Sequence, residues 1–174
     1  MIVYRSSLLL FLAIALLCGY ARVAGAESLV SSQKEGTNCS HDETTFRCVK
    51  FIKNYDGDTA TFDIPGIHPL FGKRISVRIA GIDTAEVRGK GPCEKDSART
   101  SRRLVENKLK LAKSIELRKV DRDKYFRILA EVYVDGQSLA EILIANRLAV
   151  PYDGGKKSVV NWCEMGRPRV PASK

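Results

Sequence analysis

From Cys48 onward the apolar residues fall at alternate positions. Val49 and Phe51 alternate with Lys50 and Ile52, and after the turn signal Asp56-Gly57 the residues Ala60, Phe62 and Ile64 do the same, which predicts a first β-hairpin. Residues 65–72 are rich in Gly, Pro and His and read as a loop. A third strand follows, with Ile75, Val77 and Ile79 on one face and Ser76, Arg78 and Ala80 on the other. The period then changes. Gly91-Pro92 with Glu94 marks a helix start with proline at its first position, and Ala98, Val105, Leu109 and Ala112 recur at helical spacing. Ser114 to Val120 and Arg127 to Val134 read as two further strands, the second turning at Asp135-Gly136. Ser138 with Glu141 forms a capping box that opens a second helix, whose buried face is Leu139, Ile142 and Leu143. Five short strands with a helix between the third and fourth predict an α+β fold: a five-stranded Greek-key barrel of the oligonucleotide-binding type with two main helices.

The two ends follow other rules. Arg5 precedes an apolar run of 11 residues, Leu8 to Cys18, and Ala24-Gly25-Ala26 has the small-x-small form of a cleavage site, so residues 1–26 read as a secretory signal peptide cut after Ala26. An uncleaved anchor would need roughly 20 apolar residues. Lipid attachment at Cys18 is disfavoured by the bulky Leu17 before it. A secreted or periplasmic monomer without stable membrane association is the expectation. Residues 27–46 read as a polar arm, 47–152 as the domain and 153–174 as an irregular tail. The 148 residues after the leader suffice for one core.

Charge adds a partner class. The chain carries +9, and without the leader 27 Lys and Arg still face 20 Asp and Glu, a net +7. A basic exported domain attracts polyanions, although charge alone serves solubility equally well. Four cysteines remain after cleavage, Cys39, Cys48, Cys93 and Cys163, and four allow three pairings. Proximity favours Cys39 with Cys48, leaving Cys93 with Cys163 to tie the tail to the first helix. A zinc site competes weakly, since there is no CxxC and neither His41 nor His68 is spaced as a ligand.

Three segments carry the candidate chemistry: Asp56-Gly57-Asp58-Thr59, the stretch from Arg78 through Asp83-Thr84-Ala85-Glu86, and Asp123-Lys124-Tyr125-Phe126-Arg127. Taken singly, the first is a tight turn, the acids of the second are solvated loop residues, and a lone strand arginine is an ion-pair partner. Set together in a barrel, Asp58 and Asp83 would converge on one cation. Oxygen-only ligands favour calcium or magnesium, with the Thr84 carbonyl available as a further ligand. Arg78 and Arg127 supply guanidinium forks suited to phosphate oxygens. Carboxylates for a cation, a base for water and cations for developing charge are what phosphodiester hydrolysis requires.

These three motifs, in this order, resemble the thermonuclease or staphylococcal nuclease-like family over about Cys48 to Tyr152. The resemblance implies an oligonucleotide-binding barrel and calcium-dependent cleavage of DNA and RNA. By position it implies that Asp58, Asp83 and Thr84 hold Ca2+, with Asp56 an acid behind them. Glu86 orients or deprotonates water, and Arg78 and Arg127 clamp the phosphate. Lys124 and Tyr125 touch a neighbouring phosphate, and Tyr152 walls the nucleotide pocket. Two departures stand out: Ala85 replaces the family's usual proline, and the long third helix gives way to Tyr152-Asp153-Gly154-Gly155-Lys156 and Trp162-Cys163. The other readings are an exported nucleic-acid-binding module without catalysis and a disulfide-stapled domain with a protein partner. The acids, which repel phosphates unless a metal neutralises them, weigh against the first, and the second explains none of the acidic motifs.

Overall fold

The computed structural model describes residues 39–165, so the predicted leader, residues 1–26, lies outside the described residues. Its elements in chain order are β1 (Lys50–Asn54), β2 (Thr59–Asp63), α1 (Pro69–Gly72), β3 (Ile75–Ile79), β4 (Ile82–Thr84), α2 (Pro92–Leu111), β5 (Ile115–Arg122), β6 (Ile128–Val134), β7 (Gln137–Ser138), α3 (Leu139–Ala145), β8 (Ala149–Pro151) and α4 (Trp162–Met165). The α+β class holds. The main sheet runs β1-β2-β3-β6-β5 with β7 added to β6, and β4 pairs with β8 in a sheet of two. Only β3 and β6 are parallel, because the chain between them crosses over through α2.

The predicted five strands are present, but the ladder does not close into a barrel. β1 and β5 are the two ends of the sheet and do not pair with each other. Residues 44–49, immediately before β1, run along β5 instead. Phe46 and Leu117 exchange two backbone hydrogen bonds of 2.8 and 2.9 Å, Val120 N–H donates to Thr44, and Val49 N–H donates to Ile115. The Cys39–Cys48 disulfide staples this segment. Among the described residues no helix is long and apolar enough to cross a membrane.

Alternation places the core. Ala60 and Phe62 of β2, Ile115 and Leu117 of β5, and Ala130, Val132 and Val134 of β6 all point inward, onto Val105 and Leu109 of α2 and Leu139 and Leu143 of α3. Pro92 begins α2 with Gly91 as its N-cap, and Ala112, expected on the helix face, is instead its C-cap. Ser138 Oγ accepts the Glu141 N–H at 3.3 Å to cap α3. Asp135 and Gly136 both take left-handed angles, φ 49° and 81°, as a two-residue type I′ hairpin requires, and so add the short β7 beyond β6.

Two expectations need correction. The alternation of β1 fails after Phe51, where a bulge leaves both Ile52 and Lys53 exposed and turns Asn54 inward. The loop 65–72 contains one helical turn, α1, capped by the His68 side chain.

The described part of the tail, residues 153–165, is not wholly irregular. It carries α4, whose Cys163 is bonded to Cys93 in α2 across 70 residues. In the chain-entropy model closing such a loop is worth on the order of 4 kcal/mol.

Candidate active site

The bulge in β1 sets the site. Asn54, turned inward, donates its side-chain amide to the Asp56 carbonyl at 3.0 Å and to the Arg102 carbonyl of α2 at 2.9 Å, fastening the turn before β2 onto the helix. Gly57 makes this approach possible. A Cβ there would stand 2.5 Å from Ser101 Oγ and 2.7 Å from Ser101 Cβ. Within the turn, Asp56 Oδ1 accepts the Asp58 N–H at 3.1 Å, which orders the backbone that presents Asp58.

Asp58 is then held from three sides. Its Oδ1 lies 2.6 Å from Arg78 Nη1 and accepts the Thr59 hydroxyl at 3.1 Å, while Oδ2 accepts both the Thr84 N–H and the Thr84 hydroxyl at 3.1 and 3.0 Å. Thr84, expected from the resemblance to offer its carbonyl to a metal, thus shows two donors committed to Asp58. Arg78 reaches further. Its Nη2 donates to the Ile82 carbonyl at 3.1 Å and to Asp83 Oδ1 at 3.3 Å.

Arg78 sits in β3 between Val77 and Ile79, and all three are buried. Asp58, Arg78 and Asp83 are each 6–7% exposed. Buried charges of this kind persist only when paired and hydrogen-bonded.

Beyond Asp83 the chain carries Glu86, whose side chain is 60% exposed. The Lys157 ammonium lies between these two acids, 2.9 Å from Asp83 Oδ1 and 2.7 Å from Glu86 Oε1. Burial works against the charge on Lys157, but its hydrogen bonds to Glu86 and Asp83 prevail and raise its pKa well above the ordinary lysine value. Asp56 behaves oppositely. Burial first, and the neighbouring Asp58 second, push its carboxyl up to about 6.

Arg127 approaches from the turn between β5 and β6. Asp123 grips it, Oδ2 meeting Nε at 2.7 Å and Nη2 at 2.6 Å, while Oδ1 accepts the N–H groups of Tyr125 and Arg127. Desolvation opposes ionisation of Asp123, and the Arg127 hydrogen bonds outweigh it, so its pKa falls below the usual carboxylate value. Lys124 Nζ reaches the Gly154 carbonyl at 3.4 Å, and the Tyr152 hydroxyl donates to the Gly155 carbonyl at 2.9 Å.

A cavity of about 670 Å³ gathers Asp56, Asp58, Arg78, Glu86, Lys124, Tyr125, Arg127 and Tyr152, together with Asp123 and Lys157. Asp83 and Thr84 face an adjoining cavity of about 230 Å³, which shares Glu86 and Lys157 with the first and adds Glu94 and Trp162. Every site residue expected from the sequence therefore lines one of two neighbouring hollows. The two histidines do not. His41 bonds to the Pro65 carbonyl and the Arg47 N–H, and His68 caps α1.

The donors are oxygens, which suits a hard cation. Among the described residues no three His, Cys, Asp or Glu side chains converge as a ready metal cage. The arrangement fits an ion held by one or two carboxylates with water and substrate oxygens making up the rest, and does not fit a closed zinc site. Asp58 and Asp83, already drawn together by one guanidinium, are the residues that would hold it, with Glu86 alongside.

Two residues that matter here were invisible from the sequence. Lys157 lies 71 residues from Glu86 in an aperiodic Gly-Gly-Lys-Lys stretch. Asn54 lies two residues before the Asp56-Gly57-Asp58 turn, but its role depends on a contact with Arg102, 48 residues away.

Comparison with known proteins agrees with the geometry. The family described as staphylococcal nuclease homologue matches residues 76–161, a span that takes in Arg78, Asp83, Glu86, Arg127 and Lys157 and starts after the Asp56 to Asp58 turn. The chain is 37% identical over 125 residues to a protein of Bacillus subtilis (strain 168) named Endonuclease YncB, an alignment covering 68% of this chain and 54% of that protein. The chain thus spans about half the length of this curated relative. Residues 76–161 form a domain that belongs to the staphylococcal nuclease family.

Proposed function

We propose that this chain is an exported, monomeric nuclease that uses a divalent cation, assigned as Ca2+, to hydrolyse phosphodiester bonds of DNA, RNA or both. The observation that carries the reading is the Arg78 bridge: one buried guanidinium joins Asp58 of the turn before β2 to Asp83 of β4, beside a cavity that also presents Glu86 and Arg127. Such a wall repels phosphates unless a cation is present, so a module that only bound nucleic acid would be better without it. The endonuclease name of the Bacillus relative supports cutting within a strand. Residues 44–49, bonded along β5, support reading the sheet as an oligonucleotide-binding barrel completed by this segment.

A bound divalent ion would polarise a phosphoryl oxygen and favour ionisation of a nearby water. The protein's own residues do the remainder. Glu86 accepts the proton of the water that attacks phosphorus, a role open to an exposed carboxylate at the cavity wall. Arg78 and Arg127 hold the phosphoryl oxygens as charge builds and the bond to the leaving oxygen breaks. Asp123 occupies the Nε and Nη2 edge of Arg127, so it is the Nη1 side of the fork that would meet a phosphoryl oxygen. Lys124 and Tyr125 meet the next phosphate, and Tyr152 stands beside the nucleotide.

The test is incubation of residues 27–174 with single-stranded DNA, duplex DNA and RNA, each with calcium or with EDTA. Cutting of at least one substrate in calcium and none in EDTA is expected. Binding of all three without cutting would overturn the proposal in favour of a non-catalytic module.

A further inference from the structure

Lys157 has no part in the reaction as described above, yet its ammonium lies between Asp83 and Glu86. Its Nζ to oxygen distances of 2.9 and 2.7 Å are those of charge-assisted hydrogen bonds, so one ammonium bridges the two carboxylates. The segment carrying it is fixed at both ends. On one side the Tyr152 N–H donates to the Gly81 carbonyl and Lys124 Nζ reaches Gly154; on the other, Cys163 is bonded to Cys93 in α2 and Arg147 donates to the Glu164 carbonyl. Lys73, Lys110 and Lys119 each pair with a single surface carboxylate. This one is delivered to two carboxylates by a tethered strap.

Resting on the metal-dependent reading above, we infer that Lys157 is a built-in counter-ion to Asp83 and Glu86, and that a divalent cation loading between Asp58 and Asp83 must displace it from Asp83 and so release Glu86. The charges immediately around Lys157 favour such an exchange. Asp58, Asp83 and Glu86 carry three negative charges, of which Arg78 offsets one. Lys157 offsets a second, and a doubly charged ion in its place offsets both that remain. An ammonium and a divalent cation cannot both sit against Asp83 Oδ1, since like charges at that spacing repel strongly. The strap therefore sets the threshold concentration at which the site loads, and the displaced lysine becomes available at the cavity mouth, where a phosphate chain would pass.

Two measurements on the full chain after leader removal test this. Calorimetric titration with CaCl2 should show Lys157→Gln binding calcium about tenfold more tightly than the wild type, with Lys157→Arg close to the wild type. On the wild type itself, acylation of lysines by an amine-reactive reagent, read by mass spectrometry, should rise several-fold at Lys157 when calcium is added and stay constant at exposed Lys53. Equal or weaker calcium binding by Lys157→Gln, or Lys157 acylation that is flat or falls with calcium, overturns the inference while leaving the nuclease proposal standing. No calcium binding by either protein overturns both.

Discussion

Asp123 holds Arg127 by the whole Nε and Nη2 edge of its guanidinium, with two contacts of 2.7 and 2.6 Å, four residues apart in a turn closed by Phe126 in a left-handed conformation of φ 61°. A bulky residue rarely adopts that angle, and tertiary context must compensate for about 1–2 kcal/mol. The turn is thus built to face Arg127 back over Asp123. Arg127→Ala should lower turnover on the order of 10³-fold with circular dichroism unchanged.

Asp123→Asn should lower turnover by about tenfold, because Arg127 then keeps its charge but loses its orientation. The double variant should be no worse than Arg127→Ala alone. A further tenfold loss in the double variant would show that Asp123 acts through something other than Arg127.

Gly57 is required by contact rather than by backbone angle. Gly57→Ala should destabilise the protein by about 1–3 kcal/mol, as forced overpacking does, and should depress activity because the displaced turn carries Asp56 and Asp58. Adding Ser101→Gly should recover part of the loss in both urea unfolding and cleavage rate. Gly57→Ala with wild-type stability would mean that the turn does not need this close approach.

Asp56 gives a pH dependence with a definite sign. Its carboxyl titrates at about 6 in the folded chain against 3.8 ordinarily, so its contribution to stability is fully present below about pH 4 and is lost as pH rises through 6. In EDTA, Asp56→Asn should therefore melt higher than the wild type above pH 6, and the difference should shrink to nothing near pH 4. A difference that is constant across that range would contradict burial of the Asp56 charge.

Reduction of Cys93–Cys163 removes the tether on the tail. Replacing both cysteines with serine should lower unfolding stability by up to about 4 kcal/mol. An unchanged denaturant midpoint would show that the last segment is held without the bridge.

What the sequence revealed and what it hid follow from the reach of local patterning. Ala60 and Phe62 alternate because β2 has one face in the core, and Pro92 and Ser138 announce helix starts because proline lacks an N–H and serine offers a cap. The acids and arginines of the site were legible because each lies in a short motif beside a turn or strand end. β4, β7 and β8 have two or three residues each, too few for a period to show. The failure of alternation at Ile52 arises from the bulge that brings Asn54 to Arg102, a contact 48 residues apart. Lys157 shows the limit most clearly, since its partners Asp83 and Glu86 are brought to it only by the pairing of β4 with β8 and the bond from Cys163 to α2.

Hydrolysis in H2 18O tests the central claim most directly, with a synthetic oligonucleotide as substrate and calcium or EDTA in the buffer. The account predicts one 18O in the terminal phosphate for each bond cut in calcium, and intact substrate in EDTA. Cleavage that leaves the terminal phosphate unlabelled, or that proceeds equally in EDTA, would contradict attack by water at a metal-dependent Asp58–Arg78–Asp83 site.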